Sequence, residues 1–125
     1  MENLEIRKEF IRPGEYDDSK DAVKMDLTKA MVIFSGGAFK DYKKLEEVYF
    51  GLDITRIGNG TFEGCENLTD VWFAIIDENK IVEIADDAFY GCKKDITFHI
   101  FGSAIKNKWL NDYAKKHGYK VVGMM

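Results

Sequence analysis

Apolar and polar positions recur along this chain at a long, nearly constant interval. Three phrases align: Gly37-Ala38-Phe39-Lys40-Asp41-Tyr42, Gly60-Thr61-Phe62-Glu63-Gly64-Cys65 and Asp87-Ala88-Phe89-Tyr90-Gly91-Cys92. Their phenylalanines stand 23 and 27 residues apart. The alignment extends to both sides. Five residues before each phenylalanine come Phe34, Ile57 and Ile84, and eight before come Met31, Ile54 and Ile81. Six after come Leu45, Leu68 and Asp95, nine after Val48, Val71 and Phe98, and eleven after Phe50, Phe73 and Ile100. Only Asp95 interrupts an apolar column. A self-similar period of this length is the mark of a repeat architecture, in which no unit buries its apolar face alone and neighbouring turns stack into one core.

Each unit predicts a short strand. Val48 with Phe50, Val71 with Phe73 and Phe98 with Ile100 are two residues apart and face one side, so Tyr49, Trp72 and His99 face the other. A second apolar pair, such as Ile54 with Ile57 or Ile81 with Ile84, predicts another extended segment across the turn. Gly58-Asn59-Gly60 supplies a bend between them. The longer unit carries four extra residues, placed at Asp77-Glu78-Asn79-Lys80 as a polar loop.

The ends of such an array expose core and need covering. A helix is predicted from about Ala104 to His117, with Ile105, Trp109, Leu110, Tyr113 and Ala114 on its apolar face. Ser103 is its expected cap and Gly118 its end, with Val121 and Val122 extended beyond. Residues 1–30 show no repeat. Asp17-Asp18-Ser19 reads as the start of a helix carrying Ala22, Val23, Leu27 and Ala30, and Leu4, Ile6, Phe10 and Ile11 as a strand or hairpin.

Ile57-Gly58-Asn59-Gly60-Thr61-Phe62-Glu63-Gly64-Cys65-Glu66-Asn67-Leu68-Thr69-Asp70-Val71 resembles the repeat of the BspA-like leucine-rich-repeat family, roughly I-G-x-x-A-F-x-G-C-x-x-L-x-x-V. Ile84 to Cys92 repeats it, while the first unit has Tyr42 in the cysteine position. The resemblance covers about residues 31–119, down to a glycine-serine turn (Gly102-Ser103) and a Tyr113-Ala114-Lys115 helix. It implies a right-handed leucine-rich-repeat solenoid of short strands and turns, in the α/β class. The expected layout is one domain, 1–125, with an N-terminal cap at 1–30, about three repeats at 31–101 and a C-terminal helical cap at 102–125. It also implies a bacterial surface or secreted protein with an adhesin-like role and a host matrix protein as partner.

Composition narrows the function classes. The net charge is −4 and the pI about 5.2, with acids and bases interleaved, so there is no basic stripe for nucleic acid. No apolar run reaches a membrane span, and the start, Met1-Glu2-Asn3-Leu4-Glu5, lacks the basic and apolar regions of an export signal. Read as written the chain is cytoplasmic, which stands against the surface location implied by the resemblance. The two cysteines, Cys65 and Cys92, occupy equivalent repeat positions and read as buried thiols, with a disulfide between neighbouring turns as the alternative.

Catalytic signatures are missing. There is no metalloprotease histidine pair, nucleophile elbow or phosphate loop, and Gly58-x-Gly60 with Gly64 misses dinucleotide spacing by one residue. Two histidines and two cysteines in separate segments do not make a zinc site. Asp17-Asp18 and Asp86-Asp87 read as solvated turns or helix caps, and His117 as a cation at a helix C-terminus. No catalytic residue, cofactor or metal ligand is therefore expected. The feature with functional content is the row Tyr49, Trp72, His99, flanked by Glu47, Asp70, Thr97 and Phe101. Aromatic rings with a polar rim have the composition of a recognition surface. The rings are either open to a partner or covered by the terminal segments. The expected function is non-catalytic protein binding. The alternatives are a self-associating unit, such as a homodimer, and a carbohydrate-binding domain whose rings stack on sugars.

Overall fold

Two parallel sheets share one core, and the chain passes from one to the other and back. The computed structural model describes residues 2–74 and 77–124. Its strands are β1 (Asn3–Glu5), β2 (Phe10–Ile11), β3 (Lys24–Leu27), β4 (Val32–Ile33), β5 (Glu47–Phe50), β6 (Arg56–Ile57), β7 (Asp70–Phe73), β8 (Glu83–Ile84), β9 (Thr97–Phe101) and β10 (Lys120–Met124). One helix, α1 (Lys108–His117), lies between β9 and β10. The larger sheet runs β1-β3-β5-β7-β9-β10 and the smaller β2-β4-β6-β8. Every pairing is parallel. Parallel neighbours cannot be joined by a tight turn. Here each crossover travels through the opposite sheet, except the last, from β9 to β10, which runs through α1.

Register turns the sequence columns into stacked layers. Leu4, Met25, Val48, Val71, Phe98 and Val121 are successive partners across the larger sheet, and Leu27, Phe50, Phe73 and Ile100 form a second inward row. Ile11, Ile33, Ile57 and Ile84 line the smaller sheet. Between the sheets runs an aromatic column. Tyr16 meets Phe39 at 6.0 Å, Phe39 meets Phe62 at 5.8 Å, Phe62 meets Phe89 at 5.4 Å and Phe89 meets Tyr113 at 6.2 Å. Such ring pairs add about 0.5–1.5 kcal/mol beyond area burial.

Several expectations are corrected. Residues 17–30 form no α-helix: only a 3-10 turn occurs, at Asp17–Ser19, and Lys24–Leu27 is strand β3. The reason is the period-two alternation of buried Met25 and Leu27 with outward Lys24 and Asp26, which suits a sheet and not a helix. Nor is there an N-terminal hairpin, because β1 pairs in parallel with β3 and β2 with β4. Residues 2–30 thus continue the register seen further along the chain.

Three columns shift by one residue. Ile33 pairs with Ile57 and is fully buried, whereas Phe34 is exposed. The first turn takes one residue more to reach its phenylalanine, and Gly36 absorbs it at φ 124°, with the N–H groups of Gly36 and Gly37 both donating to the Asn59 carbonyl. Ala30 is buried where Met31 is only half-buried, and Val82 is buried in place of the exposed Ile81. Asp95 lies in solvent and the adjacent Ile96 fills the core.

The C-terminal helix is shorter than expected. Gly102–Lys106 is a 3-10 turn, and α1 begins at Lys108 with Asn107 as its cap, its side-chain oxygen accepting from the Leu110 N–H at 3.1 Å. The side chain of Ser103, the expected cap, lies outside the described residues. Leu110, Tyr113 and Ala114 are buried, whereas Trp109 is 45% exposed. Gly118 ends the helix at φ 73°, as its position predicts. Asp77–Lys80 is a polar turn, closed by Lys80 N–H to the Asp77 carbonyl.

Candidate functional site

The outer face of the larger sheet collects the side chains that point away from the core. Strand register places Asp26, Tyr49, Trp72, His99 and Val122 in one row across β3, β5, β7, β9 and β10. Lys24, Glu47, Asp70, Thr97 and Lys120 form the row beside it. A two-residue repeat of facing combined with parallel register leaves these side chains no other arrangement.

The rings stack. Tyr49 and Trp72 lie 5.8 Å apart at 16°, and Trp72 and His99 are 3.9 Å apart at 12°. Phe101 leans on Trp72 at 6.1 Å and is itself 37% exposed. Tyr49, Trp72 and His99 are all half-buried, largely by one another. The structure therefore leaves the row neither fully open nor lost under the terminal segments. β10 flanks it as a neighbouring strand, with Val122 beside His99.

Carboxylates hold the edges of the stack. Glu47 accepts from the Tyr49 hydroxyl at 3.0 Å and pairs with Lys24 at 3.4 Å. Burial, assisted by the bond to Glu47, moves the Tyr49 hydroxyl above its ordinary pKa. Asp70 binds His99 Nε2 at 2.7 Å through Oδ1 and accepts from the Thr69 hydroxyl at 2.7 Å through Oδ2. Partial burial of Asp70 opposes its ionisation, but the bonds from Thr69 and His99 outweigh it and hold the carboxyl below the usual range. Thr97 sits half-buried between Asp70 and Lys120 in register. All seven predicted site residues therefore lie on one sheet face.

Two nitrogens at the centre of the row, Trp72 Nε1 and His99 Nδ1, are buried with no hydrogen-bond partner among the described residues. An unsatisfied buried donor costs about 1–3 kcal/mol. The Thr69 hydroxyl bonds Asp70 and not the imidazole, so among the described residues no hydroxyl or thiol is set against His99 as a nucleophile.

The cysteines are structural in their contacts. Both are free thiols. Cys65 Sγ donates to the Phe39 carbonyl at 3.2 Å and Cys92 Sγ to the Phe62 carbonyl at 3.4 Å. Tyr42 takes the same role one turn earlier, its hydroxyl donating to the Tyr16 carbonyl. Burial raises the Cys65 thiol well above its ordinary value and pushes Cys92 up to about 11. His117 stacks on Tyr113 at 4.2 Å, in the last turn of α1 beside Lys115 and Lys116. No group of three or more His, Cys, Asp or Glu side chains able to hold a metal ion occurs among the described residues. No described helix is long and apolar enough to cross a membrane.

Sequence reading missed the N-terminal extension of this face. Asp26 continues the aromatic row, Lys24 neutralises Glu47, and Tyr16 starts the aromatic column. The signals were present: Tyr16 precedes Phe39 by the 23 residues that separate Phe39 from Phe62, and Gly14 precedes it as Gly37 precedes Phe39.

A family model described as the BspA type leucine-rich repeat region matches residues 2–114 in six copies. No curated protein and no solved structure matches the chain.

Proposed function

The chain belongs to the BspA-type leucine-rich-repeat family of protein-interaction repeats, and on that premise we propose a non-catalytic module that binds a protein on the outer face of its larger sheet. The observation that carries this reading is the stack Tyr49–Trp72–His99, with Phe101 against it and Glu47, Asp70 and Thr97 beside it. Trp72 sits at its centre, and its indole N–H has no acceptor among the described residues. The exposed ring edges, with Phe101 37% exposed beside Trp72, are what a partner can cover, as aromatic side chains are covered at interface hot spots.

The same stacking favours a protein over a sugar. Sugars bind on ring faces, and the facing surfaces of Trp72 and His99, 3.9 Å apart, are occupied by each other. Ring edges and carboxylates remain for a partner. The architecture that goes with this reading is one solenoid domain over 1–125, with repeats through 31–101 and a closing segment at 102–125. Residues 2–30 lengthen both sheets. Family membership supports an adhesin-like setting at a bacterial surface, with a matrix protein as partner class.

The test compares pulldowns by wild-type protein and by the Tyr49→Ala, Trp72→Ala double variant, both verified as folded by circular dichroism. A partner retained by the wild type and lost by the variant supports this face. A partner retained by both overturns it. Recovery of the chain itself as the sole partner replaces the reading with self-association.

A further inference from the structure

The smaller sheet stops one strand before the larger one, and its hydrogen-bond ladder stops with it. The carbonyls of Glu9 and Ile11 accept from Met31 and Phe34. Those of Met31 and Ile33 accept from Thr55 and Gly58, and those of Thr55 and Ile57 from Glu83 and Ala85. The next members of this register are Val82 and Ile84. After β9 the chain forms a 3-10 turn and α1 in place of a further strand, so among the described residues no strand pairs with the outer edge of β8.

The helical segment bonds the backbone on either side of β8 and not at the ladder positions. Asn107 Nδ2 donates to the Lys80 carbonyl at 2.8 Å, and the Tyr113 hydroxyl to the Ala85 carbonyl at 2.8 Å. Between these points α1 stands off the strand. The cleft there has a volume of about 710 Å³. Its apolar lining includes Ile84, half-buried where Ile11, Ile33 and Ile57 are fully buried, and the exposed indole of Trp109. At its rim Lys108 pairs with Asp112 at 2.7 Å and Lys116 with Asp86 at 2.9 Å, while the exposed Glu83 has no ion pair among the described residues.

We infer that the β8 edge and the facing side of α1 bind an extended, apolar segment of a partner protein, which adds as a parallel strand with N–H groups on the Val82 and Ile84 carbonyls. Such strand addition gives affinity through main-chain bonds and selectivity through alternate side chains. The apolar lining selects an apolar side chain over the cleft, and Glu83 at the rim disfavours an acidic one. A second copy of this chain does not fit as well. The opposite edge of the sheet is β2, whose two register positions for ladder donors are Glu9 and Arg12, and the second is blocked. That N–H is already taken by Glu15 Oε1 at 2.6 Å, Lys8 holds the same carboxylate, and Pro13 follows with no N–H to offer. This site is separate from the sheet face proposed above.

Random linear decapeptides displayed on phage are selected against the wild-type protein. The tightest is then synthesised and titrated into isotope-labelled protein by NMR. The expected result is movement of the amides of residues 82–85 and of the Trp109 indole. N-methylation of the two donor amides of the peptide weakens binding about ten-fold or more, roughly the loss of one to two hydrogen bonds. Trp109→Glu, an exposed substitution, weakens it likewise, while Tyr49→Ala does not. Failure to select a peptide, shifts confined to the sheet face, or indifference to N-methylation overturns the inference. So does a dimer that forms through this edge.

Discussion

Asn107 joins the start of the helix to the polar loop of the preceding turn: its amide donates to the Lys80 carbonyl at 2.8 Å while its oxygen caps the Leu110 N–H at 3.1 Å. It is fully buried, one of two buried polar side chains among the described residues. A buried amide that meets partners at both ends fixes the helix against the strand as well as capping it. Asn107→Ala removes both bonds and orphans a carbonyl, and it is expected to destabilise the protein by about 2–3 kcal/mol. Urea unfolding followed by circular dichroism measures the loss. A change under about 0.5 kcal/mol, the size typical of neutral surface substitutions, contradicts this role.

Gly64 and Asp41 occupy the same place in successive turns, with φ 75° and 61°. Their backbones are held there by matching bonds, Asp41 N–H to the Glu63 carbonyl and Gly64 N–H to the Tyr90 carbonyl, both 2.8 Å. A Cβ at Gly64 would lie 2.3 Å from Asp41 Oδ1. Gly64→Ala is expected to cost about 1–2 kcal/mol from the left-handed backbone alone. Asp41→Gly is expected to be neutral or stabilising. Thermal unfolding of the two variants should therefore move Tm in opposite directions or leave Asp41→Gly unchanged.

The Asp70–His99 pair makes stability depend on acid. Asp70 has its carboxyl held below the ordinary value in the folded protein, so the folded state favours its ionised form. That contribution is complete above the unfolded carboxylate value, about 3.9, and is lost as pH falls through the lower folded value. Asp70→Asn should lower Tm most near neutral pH, and the gap to wild type should narrow as the pH drops below about 4. A gap that stays constant from neutral pH to pH 3 contradicts the coupling.

Both thiols should be silent in the folded protein. Cys92, the more reactive of the two, is pushed up to about 11 and Cys65 lies higher, both by burial. At pH 8 an aromatic disulfide reagent should label neither until denaturant unfolds the chain, and then both, since the thiolate is the reacting form. Rapid labelling of the native protein would contradict the burial described.

Legibility in the sequence followed the repeat. Where a column was filled by like residues, as at Phe39, Phe62 and Phe89, register and burial were readable from spacing alone. Where one residue was inserted or displaced, the column slipped: Phe34 stood in for Ile33, and Ile81 for Val82. A glycine with positive φ or a longer loop absorbs such a shift without any trace in a fixed-offset alignment. The N-terminal turns were missed because Tyr16 and Met25 replace the phenylalanine and valine by which the pattern was recognised. The outward row was legible because strand facing alternates strictly, whereas the free edge of β8 was not, because its bonding groups are backbone and have no side-chain signature.

By itself the sequence determined the repeating turn, the inward columns and the membership of Tyr49, Trp72 and His99 in one outward row. Periodicity sets those, since equivalent residues in stacked turns face the same way. Only the tertiary structure decided that the rings spend their faces on each other and that Asp70 binds His99. It also decided that residues 2–30 lengthen both sheets and that α1 stands where a strand beside β8 would be. Those outcomes depend on which turns meet and on how a ladder of backbone groups ends, and spacing along one chain carries no record of either.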